Sequence, residues 1–133
     1  MPSGDMDRTE SAADRRARRL AADASVRACE MDVLRTDGRT TLLLTGEFDA
    51  SCVLRFERLV RAAQDDPEPF LVIDMREVTF IDSTGLALLL RTEAASRQGG
   101  FELLILRSPA PAVRSALEAS GLERLLPFVD STH

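Results

Sequence analysis

At 133 residues, 44% hydrophobic and 29% charged, the chain has room for one domain with a real core. Its formal net charge is −5, which gives no electrostatic reason to expect nucleic acid or an anionic membrane surface as a partner. Every basic residue is Arg, which excludes lysine chemistry such as a Schiff base or a P-loop lysine, and no apolar run approaches the roughly 20 residues that span a bilayer.

Residues 1–27 form a polar extension rich in Ala, Arg and Asp. Ala13, Ala17, Leu20, Ala21 and Ala24 recur at helical spacing, but alanine buries little area and a lone helix of this kind is marginal in water. The expectation is a frayed helix or a disordered tail. Its acids and arginines balance, so it is no basic arm. It contains no apolar h-region of a secretory signal.

A folded domain is expected over residues 28–133. Cys29, Met31 and Val33 alternate with Glu30 and Asp32, as in a half-buried strand over residues 28–34. Thr36-Asp37-Gly38-Arg39 supplies a turn, and residues 40–45 return as the second strand of a hairpin. Gly46-Glu47-Phe48-Asp49 breaks that strand and opens a helix that Asp49 or Ser51 can cap. Val53, Phe56, Leu59, Val60 and Ala63 share the face of this helix that turns inward.

Phe70-Leu71-Val72-Ile73 shows no polar alternation, the pattern of a strand buried on both faces of a parallel sheet. Val78 and Ile81 read as inward anchors of a loop carrying Ser83. A helix then runs from about Ser83 to Gln98 and stops at Gly99-Gly100, with Leu86, Leu89, Leu90 and Ala94 as its core stripe. Leu88 lies roughly opposite that stripe. It is either an exposed apolar contact for a partner or covered by a second layer. Residues 101–106 make the fourth strand. Ser108-Pro109 starts another helix, Gly121 ends it with Leu122 packing back, and residues 125–128 form a short edge strand.

The order ββαβαβα gives an α/β fold with a mixed sheet: an N-terminal hairpin, then parallel strands joined by right-handed crossovers. Functional loops gather at the carboxyl ends of such strands. The Glu47–Ser51 and Ile81–Gly85 loops therefore converge on Ser83.

The chemistry available there is limited. A serine nucleophile needs a base, and the one histidine is His133, the last residue. The residues around Ser83 do not form a G-x-S-x-G elbow. Asp49, Asp74 and Asp82 could chelate Mg²⁺, but carboxylates alone are weak support for a metal. No cofactor-binding loop is present, and no enzyme activity is expected. Cys29 and Cys52, on different elements, are expected as reduced, partly buried thiols suited to the cytoplasm. Ser83 can instead be a phosphate acceptor at a helix N-terminus, or simply the helix N-cap, with Gly85 for tight packing.

The motif Val78-Thr79-Phe80-Ile81-Asp82-Ser83-Thr84-Gly85-Leu86, with Gly46-Glu47-Phe48-Asp49 and Leu117-Glu118-Ala119-Ser120-Gly121-Leu122, resembles the STAS domain of bacterial anti-sigma-factor antagonists. The resemblance covers roughly residues 28–128. It implies that Ser83 is phosphorylated by an anti-sigma factor that is itself a serine kinase. Phosphorylation would end binding to that partner, and a separate phosphatase would reset the switch. By the resemblance, Asp49 and Asp82 flank the site and, with Thr84 and Gly85, help form the docking surface; Asp49 is equally well placed as a helix cap only. The competing expectation is an adaptor that is never phosphorylated, in a lipid-transport complex or a stress-signalling scaffold. The chain stops soon after Phe128, where these domains commonly add a helix. That would leave one flank of the sheet uncovered, or covered by the N-terminal segment or by a second molecule in a homodimer.

Overall fold

The computed structural model describes residues 29–65 and 68–130. The expected extension over residues 1–27 lies outside these described residues. Five strands form one sheet in the order β1-β2-β3-β4-β5: β1 (Glu30–Thr36), β2 (Arg39–Phe48), β3 (Phe70–Ile81), β4 (Glu102–Leu106) and β5 (Phe128–Val129). β1 is antiparallel to β2, and every later neighbour is parallel. The mixed α/β sheet expected from the sequence is the one observed.

The hairpin turns at Asp37-Gly38, where Gly38 has φ 75°. An L side chain is strained there, whereas glycine is not. A short 3₁₀ turn (Ala50–Cys52) follows β2 and leads into α1 (Val53–Asp65). The remaining helices are α2 (Ser83–Gly99), α3 (Pro111–Ser120) and the single turn α4 (Leu122–Leu125). Gly100 (φ 76°) and Gly121 (φ 78°) close α2 and α3 in left-handed conformations, the ordinary glycine stop of a helix.

Consecutive parallel strands are adjacent in the sheet, so right-handed crossovers put the helices on one face. There, Leu42 and Leu44 of β2, Ile73 and Met75 of β3, and Ile105 of β4 meet Phe56 of α1, Leu89 of α2, and Val113 and Leu117 of α3 in one cluster. The Phe48 and Phe56 rings meet edge-on within it, their centroids 5.1 Å apart.

Several boundaries differ from the sequence reading. β3 runs on to Ile81, so Val78 and Ile81 are buried strand residues rather than loop anchors. β2 likewise continues through Gly46 and Glu47 to Phe48, with register shifts against β3 between Leu43 and Thr45 and between Gly46 and Glu47. These irregularities absorb the break that the glycine signalled. α3 starts at Pro111, not Pro109. Ser108 is buried instead, donating its hydroxyl to the Val78 carbonyl at 2.7 Å and accepting from the Ala110 amide at 3.1 Å.

Candidate functional site

The two expected loops do converge, and at closer range than loops would. Phe48 ends β2 and Ile81 ends β3 as register partners. Only Asp82 separates β3 from α2. The Asp82 amide donates to the Phe48 carbonyl at 3.4 Å. The Thr79 hydroxyl donates to the Gly46 carbonyl at 3.4 Å. Both turns therefore hang from one pair of strand ends, at the carboxyl edge of the parallel sheet.

Asp82 is the N-cap of α2. Its backbone is extended (φ −112°, ψ −173°), and its carboxylate accepts from the Gly85 amide at 3.0 Å. That satisfies one of the four orphan donors of the helix start. Ser83 is accordingly the first helical residue rather than the cap. It is exposed, and its hydroxyl makes no hydrogen bond among the described residues. Thr84, next along the first turn, is half-buried. The Ser83 and Thr84 amides precede the first intrahelical bond, so a negative group on Ser83 would meet unpaired N–H groups and the positive end of the helix dipole.

Gly85 is buried in the seam between the two turns. A β-carbon there would overlap the Phe48 carbonyl and come within 2.7 Å of Ile81 Cγ1. Only glycine lets the first turn of α2 lie this close to the end of β2.

On the other side of the seam, Asp49 caps the 3₁₀ turn. Its Oδ1 accepts from the Ser51 amide at 3.0 Å and the Ser51 hydroxyl at 2.6 Å. Its carboxylate is thus engaged locally, as the capping alternative had it, while the residue remains half-buried at the rim of the site.

Leu88 does not belong to the surface. It is 1% exposed and lies in the core, and it lines the groove between α1 and α2 with Phe56, Val60 and Thr92. The expectation of an exposed partner contact is corrected: α1 is the second layer that covers it. Leu90, placed in the core stripe by the sequence reading, is 40% exposed. Phe80, within the motif and two residues before Asp82, is exposed as well.

One pairing had no signal in the sequence. Cys29, just before β1, and Cys52, in the 3₁₀ turn, are buried free thiols within hydrogen-bonding reach of each other. The Cys52 thiol also donates to the Glu47 carbonyl at 3.4 Å, and the Arg55 guanidinium donates to the Cys29 carbonyl. Burial, followed by the contact with Cys52, raises the Cys29 thiol above its ordinary pKa of 9.0. Among the described residues no group of three or more His, Cys, Asp or Glu side chains could hold a metal ion. No helix among them is long and apolar enough to cross a membrane.

Comparison with known proteins fits this geometry. The solved structure of an anti-sigma factor antagonist from Mycobacterium paratuberculosis superposes with a TM-score of 0.65 at 28% identity, over 78% of this chain and 87% of that one. The phosphorylated form of the Bacillus cell fate determinant SpoIIAA gives a TM-score of 0.60 at 21% identity, covering 80% and 93%. A sulfate transporter family protein from Wolinella succinogenes gives 0.62 at 20% identity, covering 73% and 80%. A family model described as "Mlab, STAS domain" matches residues 31–127, most of the chain. The chain belongs to the STAS domain family.

Proposed function

We propose that this protein is an anti-sigma-factor antagonist that binds an anti-sigma factor when unphosphorylated and is released when Ser83 is phosphorylated. The observation that carries this reading is the exposed Ser83 hydroxyl. It stands unbonded at the first position of α2, next to a cap already supplied by Asp82 and with no side-chain base hydrogen-bonded to it among the described residues. Such a serine suits a role as substrate. The phosphoryl group comes from ATP through a partner serine kinase, the anti-sigma factor itself, and a phosphatase removes it. Asp49, Asp82, Thr84 and Gly85 frame the docking surface, with Gly85 acting through close packing. The mycobacterial antagonist supports this class of function, and the phosphorylated SpoIIAA structure is of a STAS-fold protein that takes phosphate. The setting is cytoplasmic.

Phosphate adds about −1.5 to −2 charges at pH 7. At the start of α2 the helix dipole stabilises that charge by roughly 0.3–1 kcal/mol, partly offset by Asp82. The fold tolerates it. A partner seated over Ser83 does not, because an unpaired buried charge costs several kcal/mol and each 1.4 kcal/mol is tenfold in affinity. The test is incubation with kinase-type anti-sigma factors of the same genome and ATP, then peptide mapping. A Ser83→Ala protein that is still phosphorylated would sink the assignment.

A second reading rests on the family description and on the transporter-family structure. In it the same surface docks constitutively, as an adaptor in a transport complex. Copurification with transporter subunits, without phosphate on Ser83 under any growth condition, would favour it.

A further inference from the structure

The two helices nearest Ser83 carry charge opposite in sign to that of the chain. α1 and α2 hold five arginines against Glu57, Asp65 and Glu93, in a protein whose net charge is −5. Glu57 and Glu93 are already engaged by Arg91 and Arg97, each at 3.0 Å. Arg58 and Arg61 are exposed and make no ion pair among the described residues.

Helical spacing sorts the exposed residues into two rows. Leu54, Arg58 and Arg61 follow one another at i, i+4 and i+7 along α1, and Ser83, Leu90 and Arg97 recur every seven residues along α2. Leu54 is 68% and Leu90 40% exposed. The Arg91–Glu57 bridge crosses from one helix to the other and holds the rows at a fixed spacing. Between them lies a groove of about 160 Å³ over the buried Phe56, Val60 and Leu88. Its exposed lining, Arg61, Gln64 and Arg91, offers N–H donors that suit a carboxylate.

We infer that this face docks an acidic, partly apolar surface of a protein partner, with carboxylates on Arg58, Arg61 and Arg91 and apolar side chains on Leu54 and Leu90. The inference rests on the reading of Ser83 as a phosphorylation switch and adds the chemistry of the partner. Ser83 heads the α2 row, so a partner seated on the face also covers it. Phosphate there sets new negative charge against the partner's carboxylates and drives it off, whereas a basic partner would be held more tightly by the same group. Asp49 and Asp82, beside Ser83, are turned to amide donors of their own turns, which offsets part of their field. The occupant is a protein rather than a polyanion. A phosphate array is met by arginines without interleaved glutamates and gains nothing from exposed leucines.

Calorimetric titration of the unphosphorylated full-length protein against the kinase-type anti-sigma factors of the same genome tests the face. Arg58→Glu/Arg61→Glu should bind about tenfold or more weakly than wild type, with a flatter salt dependence and an unchanged Tm. Arg58→Lys/Arg61→Lys should restore most of the affinity. Leu54→Ala/Leu90→Ala should also weaken binding, while Arg124→Glu, on α4, should not. Equal affinity of the glutamate variant and wild type, with Ser83 still phosphorylated, would overturn the docking face and leave the switch standing. Tighter binding by the glutamate variant would mean a basic partner and overturn it too, as would arginine-dependent binding to vesicles of phosphatidylglycerol. If none of these factors binds wild type, the reading of Ser83 falls and the docking face with it.

Discussion

The Phe48 carbonyl accepts the Asp82 amide at 3.4 Å, and Gly85 packs directly over that same carbonyl. One peptide group at the end of β2 thus sets the position of the helix start that carries Ser83. A methyl group at Gly85 overlaps both this carbonyl and the Ile81 side chain, so both must give way or the helix start must move. Overpacking of this kind costs about 1–3 kcal/mol. Gly85→Ala should lower the urea midpoint accordingly and weaken partner binding beyond the loss of stability, because the start of α2 moves. Unchanged stability would mean that the seam has slack which the packing does not show.

Asp82 can be tested as a cap separately from any part in docking. Its carboxylate accepts the Gly85 amide at 3.0 Å. Loss of such a cap costs about 1 kcal/mol, whereas Asn caps nearly as well. Asp82→Ala should destabilise the protein by that amount and Asp82→Asn by a few tenths, as read by thermal or urea unfolding. If both lose partner affinity equally, the charge matters to the partner; if only the alanine variant does, the helix start matters.

Two leucines two residues apart on α2 should respond in opposite ways. Leu88 is sealed beneath α1 among Phe56, Val60 and Thr92, and Leu88→Ala should cost about 2–5 kcal/mol. Leu90 is 40% exposed, and Leu90→Ala should stay within about 0.5 kcal/mol. Equilibrium denaturation of the two variants decides the helix phase directly.

That phase shows why part of this chain was legible in its sequence and part was not. The hairpin, the apolar β3 run and the glycine stops at Gly100 and Gly121 each rest on a local rule, and each appears in the structure. In α2 four leucines within five residues put apolar side chains on nearly every side, so spacing could not choose the inward face. Thr92 and Ser96 settled it by being buried. Thr92 returns its hydroxyl to the Leu88 carbonyl at 2.8 Å, and Ser96 to the Glu93 carbonyl at 2.7 Å, so two polar residues fit the inner face that an apolar count had passed over. The motif pointed to Ser83, but not to its place one residue inside the cap. A strand running straight into a helix leaves room for one connecting residue, and Asp82 takes it.

The Cys29 thiol carries a pH dependence with a definite sign. Burial, then the hydrogen bond and charge of Cys52, raise it above its ordinary 9.0. An acid with a raised folded-state pKa keeps its proton in the native protein where the unfolded chain has lost it. Below pH 9 the group therefore leaves stability unchanged. Above pH 9 the unfolded chain gains by ionising, and stability should fall by about 1.4 kcal/mol per pH unit. The sequence contains no Lys and no Tyr to add a slope of their own between pH 9 and 11. Urea midpoints measured across that range should decline in the wild-type protein and flatten in Cys29→Ala. Cys52→Ala should keep most of the slope, because burial is the larger cause and the contact with Cys52 the smaller. A slope that survives in Cys29→Ala would assign the titration to another group.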